Sequence, residues 1–168
     1  IERLLADNRG SLELLREARE IEHCRYDWDY TGNMPYMSSM RHCAQLLAAA
    51  MVLSGDRGNT EAVLDYFKDG LRLAESCQNE PGTIGYLLGI AGSALSMRAL
   101  ERTLSVTTYT DEQLAEITRA LSEAAETVDL TQALINERCV MIEMFEGASP
   151  ADGSPAAVPR IPILGRLG

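Results

Sequence analysis

Apolar side chains return every three or four residues along nearly the whole chain, which is the period of an α-helix. In "SLELLREAREIEH", Leu12, Leu15, Ala18 and Ile21 share one face, and Ser11 is placed to cap the start. A second helix is expected from about Pro35 to Ser54, with Met37, Met40, Ala44, Leu47 and Met51 on its stripe. The glycine-bearing "GDRGN" interrupts the pattern, and Asn59 or Thr60 restarts it. In the third helix Val63, Leu64, Phe67, Leu71 and Ala74 point inward, while Asp65, Lys68, Asp69, Arg72 and Glu75 are expected to face water. "NEPG" ends that helix. A fourth runs from Thr83 to Leu104 and carries Gly85, Gly89 and Gly92. Each glycine costs a helix about 1 kcal/mol relative to alanine, so three on one helix predict a neighbouring backbone at close range. Thr110 and Gln113 form a capping box for a fifth helix, and Asp129 with Gln132 signals a sixth.

These patterns predict an all-α fold of five or six helices without a sheet. Short polar turns predict antiparallel helical hairpins. Val63, Phe67 and Gly70 fit the second helix of a tetratricopeptide unit, which points to an α-superhelical repeat array. Residues 1–147 are expected to form one helical domain. Residues 148–168 hold four of the six prolines and no helical period, and they are expected to be an extended tail whose residues 155–164 lie against an apolar groove.

Composition narrows function. The 168 residues include 25 acidic and 15 basic side chains, a net charge of -10, with no basic run. Phosphate neutralisation requires a basic footprint, so nucleic acid is not an expected partner. The most apolar run, residues 82–97, is shorter than the roughly 20 residues a bilayer requires. Beginning at Ile1 and ending in "ILGRLG", the sequence reads as cut or processed at both ends, which leaves its localisation and any upstream anchor or leader open.

Chemistry is thinly signalled. No nucleophile elbow, phosphate-binding loop or dinucleotide fingerprint occurs, and no cofactor is expected. Glu20 and His23 form a Glu-x-x-His, but His42 lacks the matching glutamate that a di-iron bundle requires. Asp27 and Asp29 are an acidic pair expected to be solvated. The four cysteines lie far apart. Cys43, Cys77 and Cys139 are expected to be buried small hydrophobes.

The densest stretch is "CRYDWDYTGNMPYMSSMRHCAQ", residues 24–45. Tyr26, Trp28, Tyr30 and Tyr36 form the candidate binding surface. Their rings can instead lie across helix ends as part of the core. Met37, Met40, His42 and Cys43 include soft donors suited to copper, with zinc or a small ligand as further options. The same spacing suits a flexible core seam.

Several of these pieces also occur together elsewhere. Cys24-Arg25, "MRHCAQLLAAAM", "GLRLAESCQNEP", "GYLLGIAGSALSMRALERTL", the Asp111–Leu114 turn, and Ala133-Leu134 with Glu137-Arg138 follow one another in order. Across residues 11–147 this run resembles a family of uncharacterised tetratricopeptide-like helical proteins abundant in planctomycete-type bacteria. The resemblance implies a helical fold, an N-terminal membrane anchor outside this chain, and no known activity. The tail departs from it, since further helical sequence would be expected there. Together the signals lead to a non-enzymatic interaction module or assembly subunit, with a protein or peptide partner that includes a second copy. The alternative is a metal or small-ligand binder using Tyr26–Cys43.

Overall fold

The computed structural model describes residues 1–21, 24, 26, 36–80, 82–126 and 129–147, with side chains described as far as residue 142. Among these residues there are seven α-helices and no strand: α1 (Glu2–Asp7), α2 (Arg9–Ala18), α3 (Tyr36–Asp56), α4 (Thr60–Gln78), α5 (Thr83–Val106), α6 (Asp111–Glu126) and α7 (Leu130–Gly147). The count exceeds the five or six expected because α1 precedes the first helix in the sequence pattern. Ser11 is not a cap. Asn8 stands at the junction of α1 and α2, and Ser11 lies inside α2.

Elsewhere the local signals set the ends. The Asn59 side chain accepts from the Ala62 N–H at 3.1 Å. Thr110 and Gln113 exchange both bonds of a capping box, at 3.1 and 3.3 Å. Asp129 accepts from the Thr131 and Gln132 N–H groups, whereas the Gln132 side chain turns away to Asn136. The two sharp turns use Gly58 and Gly82 at φ +71° and +107°, a region that side-chain-bearing residues avoid.

Helices α3, α4 and α5 all pack on one another, with α6 on α4, α7 on α5, and α1 and α2 laid over the α3–α4 side. Met51, Val63, Phe67, Leu71, Ala99, Leu100 and Ile117 make the main core. Ala44, Leu47 and Leu73 make a second cluster, joined by Leu12 and Leu15 of α2. α5 is longer than its apolar run. It is the one helix among the described residues long and apolar enough to cross a membrane, by length and composition alone, and a third of that apolar window is buried.

The seam between α4 and α5 is built from small residues. A Cβ on Gly89 would lie 2.5 Å from the Ala74 carbonyl oxygen and 2.3 Å from Cγ of Gln78. One on Gly85 would lie 2.8 Å from the Cys77 carbonyl oxygen, and one on Gly70 would meet Ser96 Oγ. Going down α4 from Gly70 through Ala74 to Cys77, the partners on α5 run upward from Ser96 through Gly92 to Gly85, so the two helices are antiparallel. At the far end Gly55 of α3 sits against the side chain of Thr103. Thr103 is fully buried, donates to the Leu100 carbonyl at 2.8 Å and accepts from the Tyr109 hydroxyl at 2.8 Å.

α7 is fastened through one carboxylate. Gly82 offers no side chain to cap α5, and Oε2 of Glu137 instead accepts from the Thr83 N–H at 2.7 Å. A negative charge there also suits the positive end of the helix dipole. Ala133 and Val140 of α7 are buried.

The seam separates two glycines that look alike in the sequence. Gly89→Ala is expected to lower stability by about 1–3 kcal/mol, because backbone must move to admit the methyl. Gly92→Ala, whose Cβ would meet Ala74 Cβ at an ordinary 3.5 Å, should be neutral or stabilising by up to about 1 kcal/mol. Chemical denaturation of the two variants tests the difference, and equal effects would contradict the seam.

Candidate functional site

Of the aromatic surface expected from the sequence, Trp28 and Tyr30 lie outside the described residues, as do Asp27, Asp29 and His23. Tyr26 and Tyr36 are described, and they stack with ring centroids 4.9 Å apart and planes 17° from parallel. Tyr26 is bound both to α4 and to the turn that follows it. Its hydroxyl meets Ser76 Oγ at 2.7 Å, and its N–H donates to Glu80 Oε1 at 3.1 Å. Ser76 Oγ in turn donates to the Leu73 carbonyl at 2.7 Å, so Tyr26 is the donor of their shared bond. Burial pushes the Tyr26 phenol well above its usual range. It also pushes the Cys77 thiol up to about 11, with the Glu80 carboxylate adding to the effect. These bonds make a packed joint. Ser76 spends its hydrogen on the backbone, and Cys77 is held away from the thiolate form that nucleophilic chemistry uses.

Of the four metal candidates, two share an apolar cluster. Met40 and Cys43 pack against the Ala44–Leu47–Leu73 cluster. Met37 is half-buried and His42 exposed. Among the described residues no group of three or more histidine, cysteine or acidic side chains is arranged to hold a metal ion. All four cysteines are free thiols. Cys77 is buried, but Cys139 is exposed, contrary to the expectation that its helix would bury it.

Two carboxylates hidden from the sequence reading are buried. Asp69 was expected to face water, yet its side chain is fully enclosed. α2 supplies the reason, since Arg19 comes within 3.2 Å and Arg16 within 3.9 Å of Asp69. Asp65 binds Arg16 at 3.1 Å. The Asp69 oxygens make no hydrogen bond among the described residues. Charge attraction holds the pair in place of aligned bonds, and burial pushes the Asp69 carboxyl up despite both arginines. Glu80, in the "NEPG" turn, is 1% exposed, and its Oε2 has no hydrogen-bond partner among the described residues.

Two hollows flank this joint. One, of about 400 Å³, lies beneath α2 among Leu15, Ala18, Met40, Cys43 and Asp69. The other is an open groove of about 500 Å³. Leu73, Ala74 and Cys77 of α4 form its floor, Met40, Arg41, Ala44 and Gln45 of α3 form one wall, and α5 from Leu88 to Arg98 forms the other. The outer side of α5 continues the apolar surface with Ile84, Leu87 and Ile90, which are 49%, 61% and 42% exposed. This surface was not foreseen. The glycine pattern marks the α4 side of α5, while the groove depends on which residues of α3 stand opposite.

The joint titrates in alkali. Cys77 has a folded pKa raised from 9.0 to about 11. Its contribution to stability is therefore complete below pH 9 and is lost as the pH rises through about 11. Tyr26 and Cys43 are shifted in the same direction. Thermal melts from pH 8 to 11 are expected to show falling stability, and Cys77→Ala should flatten the fall. An alkaline limb unchanged in Cys77→Ala would contradict this account.

Comparison with protein-family models, with curated proteins and with solved structures finds no match for this chain, so its function rests on the geometry described above.

Proposed function

We propose that this chain is a non-enzymatic helical interaction module, of the α-superhelical or tetratricopeptide-like kind, and that it recognises its partner in the groove between α3 and α5. The observation that carries this reading is the groove itself. It is about 500 Å³ in volume and predominantly apolar, and it continues onto exposed leucine and isoleucine side chains of α5. Clefts of this size and character are where proteins bind their ligands. Contiguous apolar surface left open on a folded domain marks an interaction site more often than scattered apolar residues do. The packing of α3, α4 and α5 supports the repeat reading, since each of the three lies on the other two, as neighbouring helices of stacked hairpins do.

The competing reading is a metal or small-ligand protein using Tyr26–Cys43. It has little support, since Met40 and Cys43 pack against an apolar cluster and His42 is exposed.

A photo-crosslinking side chain at Ala91, on the groove wall, and one at Ser122, on α6, separate the readings in the native cell. A discrete adduct is expected from position 91 and none from position 122. Equal or absent adducts at both positions would count against the groove. Stoichiometric copper, zinc or iron in purified protein would overturn the non-metal reading.

A further inference from the structure

The groove carries charge as well as apolar surface. Among the described residues its lining has no acidic side chain, although the chain has 25 of them. It does have Arg41 on the α3 wall and Arg98 on the α5 wall. Both are exposed, and neither makes a hydrogen bond or ion pair with any described residue. Elsewhere, by contrast, Arg16, Arg19 and Arg57 are each ion-paired, as is Lys68 on α4. The occupant must therefore bring apolar side chains for the floor and negative charge for the two rims.

Backbone chemistry decides its conformation. An extended peptide needs partners for its own N–H and C=O groups. Gln45 is the one uncharged side chain in the lining with an amide to offer, and the helices that make the walls have already used their backbone groups. A helix satisfies its own backbone and presents apolar side chains at three- and four-residue spacing. From Leu88 to Arg98 the α5 wall is about 15 Å long, or roughly three turns of a helical partner.

We infer that the groove takes an acidic amphipathic helix from a partner protein, with apolar anchors against Met40, Leu73, Leu88 and Leu95 and carboxylates meeting Arg41 and Arg98. This inference rests on the groove reading above and gives its partner a chemistry.

The probe is a fluorescent stapled helix of about four turns, with leucines along one stripe and glutamates beside it. Its twin carries glutamine at each glutamate. Affinity is measured by anisotropy for wild type, for Arg41→Glu/Arg98→Glu, and for Ala91→Arg, after circular dichroism establishes that each variant folds. The glutamate helix is expected to bind about fivefold or more tighter than its twin, as two rim ion pairs allow. That preference should vanish or invert in the double charge reversal, and Ala91→Arg should abolish binding of both helices. If the two helices bind equally and Ala91→Arg still abolishes both, the groove stands and the acidic partner is overturned. If neither helix binds, or if binding survives Ala91→Arg, the inference is wrong, and the crosslinking experiment decides the groove reading on its own.

Discussion

The close approach of α4 and α5 governs the rest of the architecture. Helices with ordinary side chains at their contact stand 8–10 Å apart. Here Gly85 and Gly89 let α5 lie directly on the carbonyl edge of α4 near Ala74 and Cys77. With the seam this thin, α3 can rest on both helices at once, and Leu47 and Met51 are fully buried. The groove is a consequence of the same geometry. At the Gly92 level the floor is made of small side chains, so no bulk rises from α4 to fill the space between α3 and α5.

Glycine in a helix interior costs propensity, and the seam repays that cost through packing that no larger residue permits. This also explains why the three glycines of α5 are unequal. Gly85 and Gly89 face carbonyl oxygens of α4, which cannot yield. Gly92 faces the Ala74 methyl at a normal distance. The spacing in the sequence reveals a small-residue face, but it carries no information about which member of the face meets backbone.

The legible parts of the fold were those encoded within one helix turn. The caps at Asn59, Thr110–Gln113 and Asp129 are contacts between residues two or three apart, and the core stripes of α3 and α4 repeat every three or four residues. The illegible parts depended on partners about 50 residues away. Asp69 reads as a surface residue until Arg16 of α2 and Arg19, just past its end, are placed over it. Glu137 reads as an ordinary helical glutamate until the Thr83 N–H is found at its carboxylate. The candidate aromatic surface was divided in the same way. Tyr26 has its meaning from Ser76 on α4 and Glu80 in the turn after it, and Tyr36 from the stack on Tyr26, none of which anything adjacent in the sequence announces.

Net charge and local charge act differently on this protein. At physiological ionic strength the field of an exposed charge fades over about 8 Å. Most of the -10 therefore does not reach into the groove, and an approaching group there responds to Arg41 and Arg98 first. Their freedom comes from the fold, because the carboxylates of α4 and of the turn after it that lie nearest in sequence to the groove floor are already committed elsewhere. Asp69 turns to α2, Glu75 binds Arg72, and Glu80 holds the Tyr26 N–H. Had any of the three pointed along the floor, it would have neutralised a rim arginine from within. The burial of carboxylates under α2 and Tyr26 and the open basic rim of the groove are thus linked: Asp69, Glu75 and Glu80 find partners away from the floor, which is left to Leu73, Ala74 and Cys77.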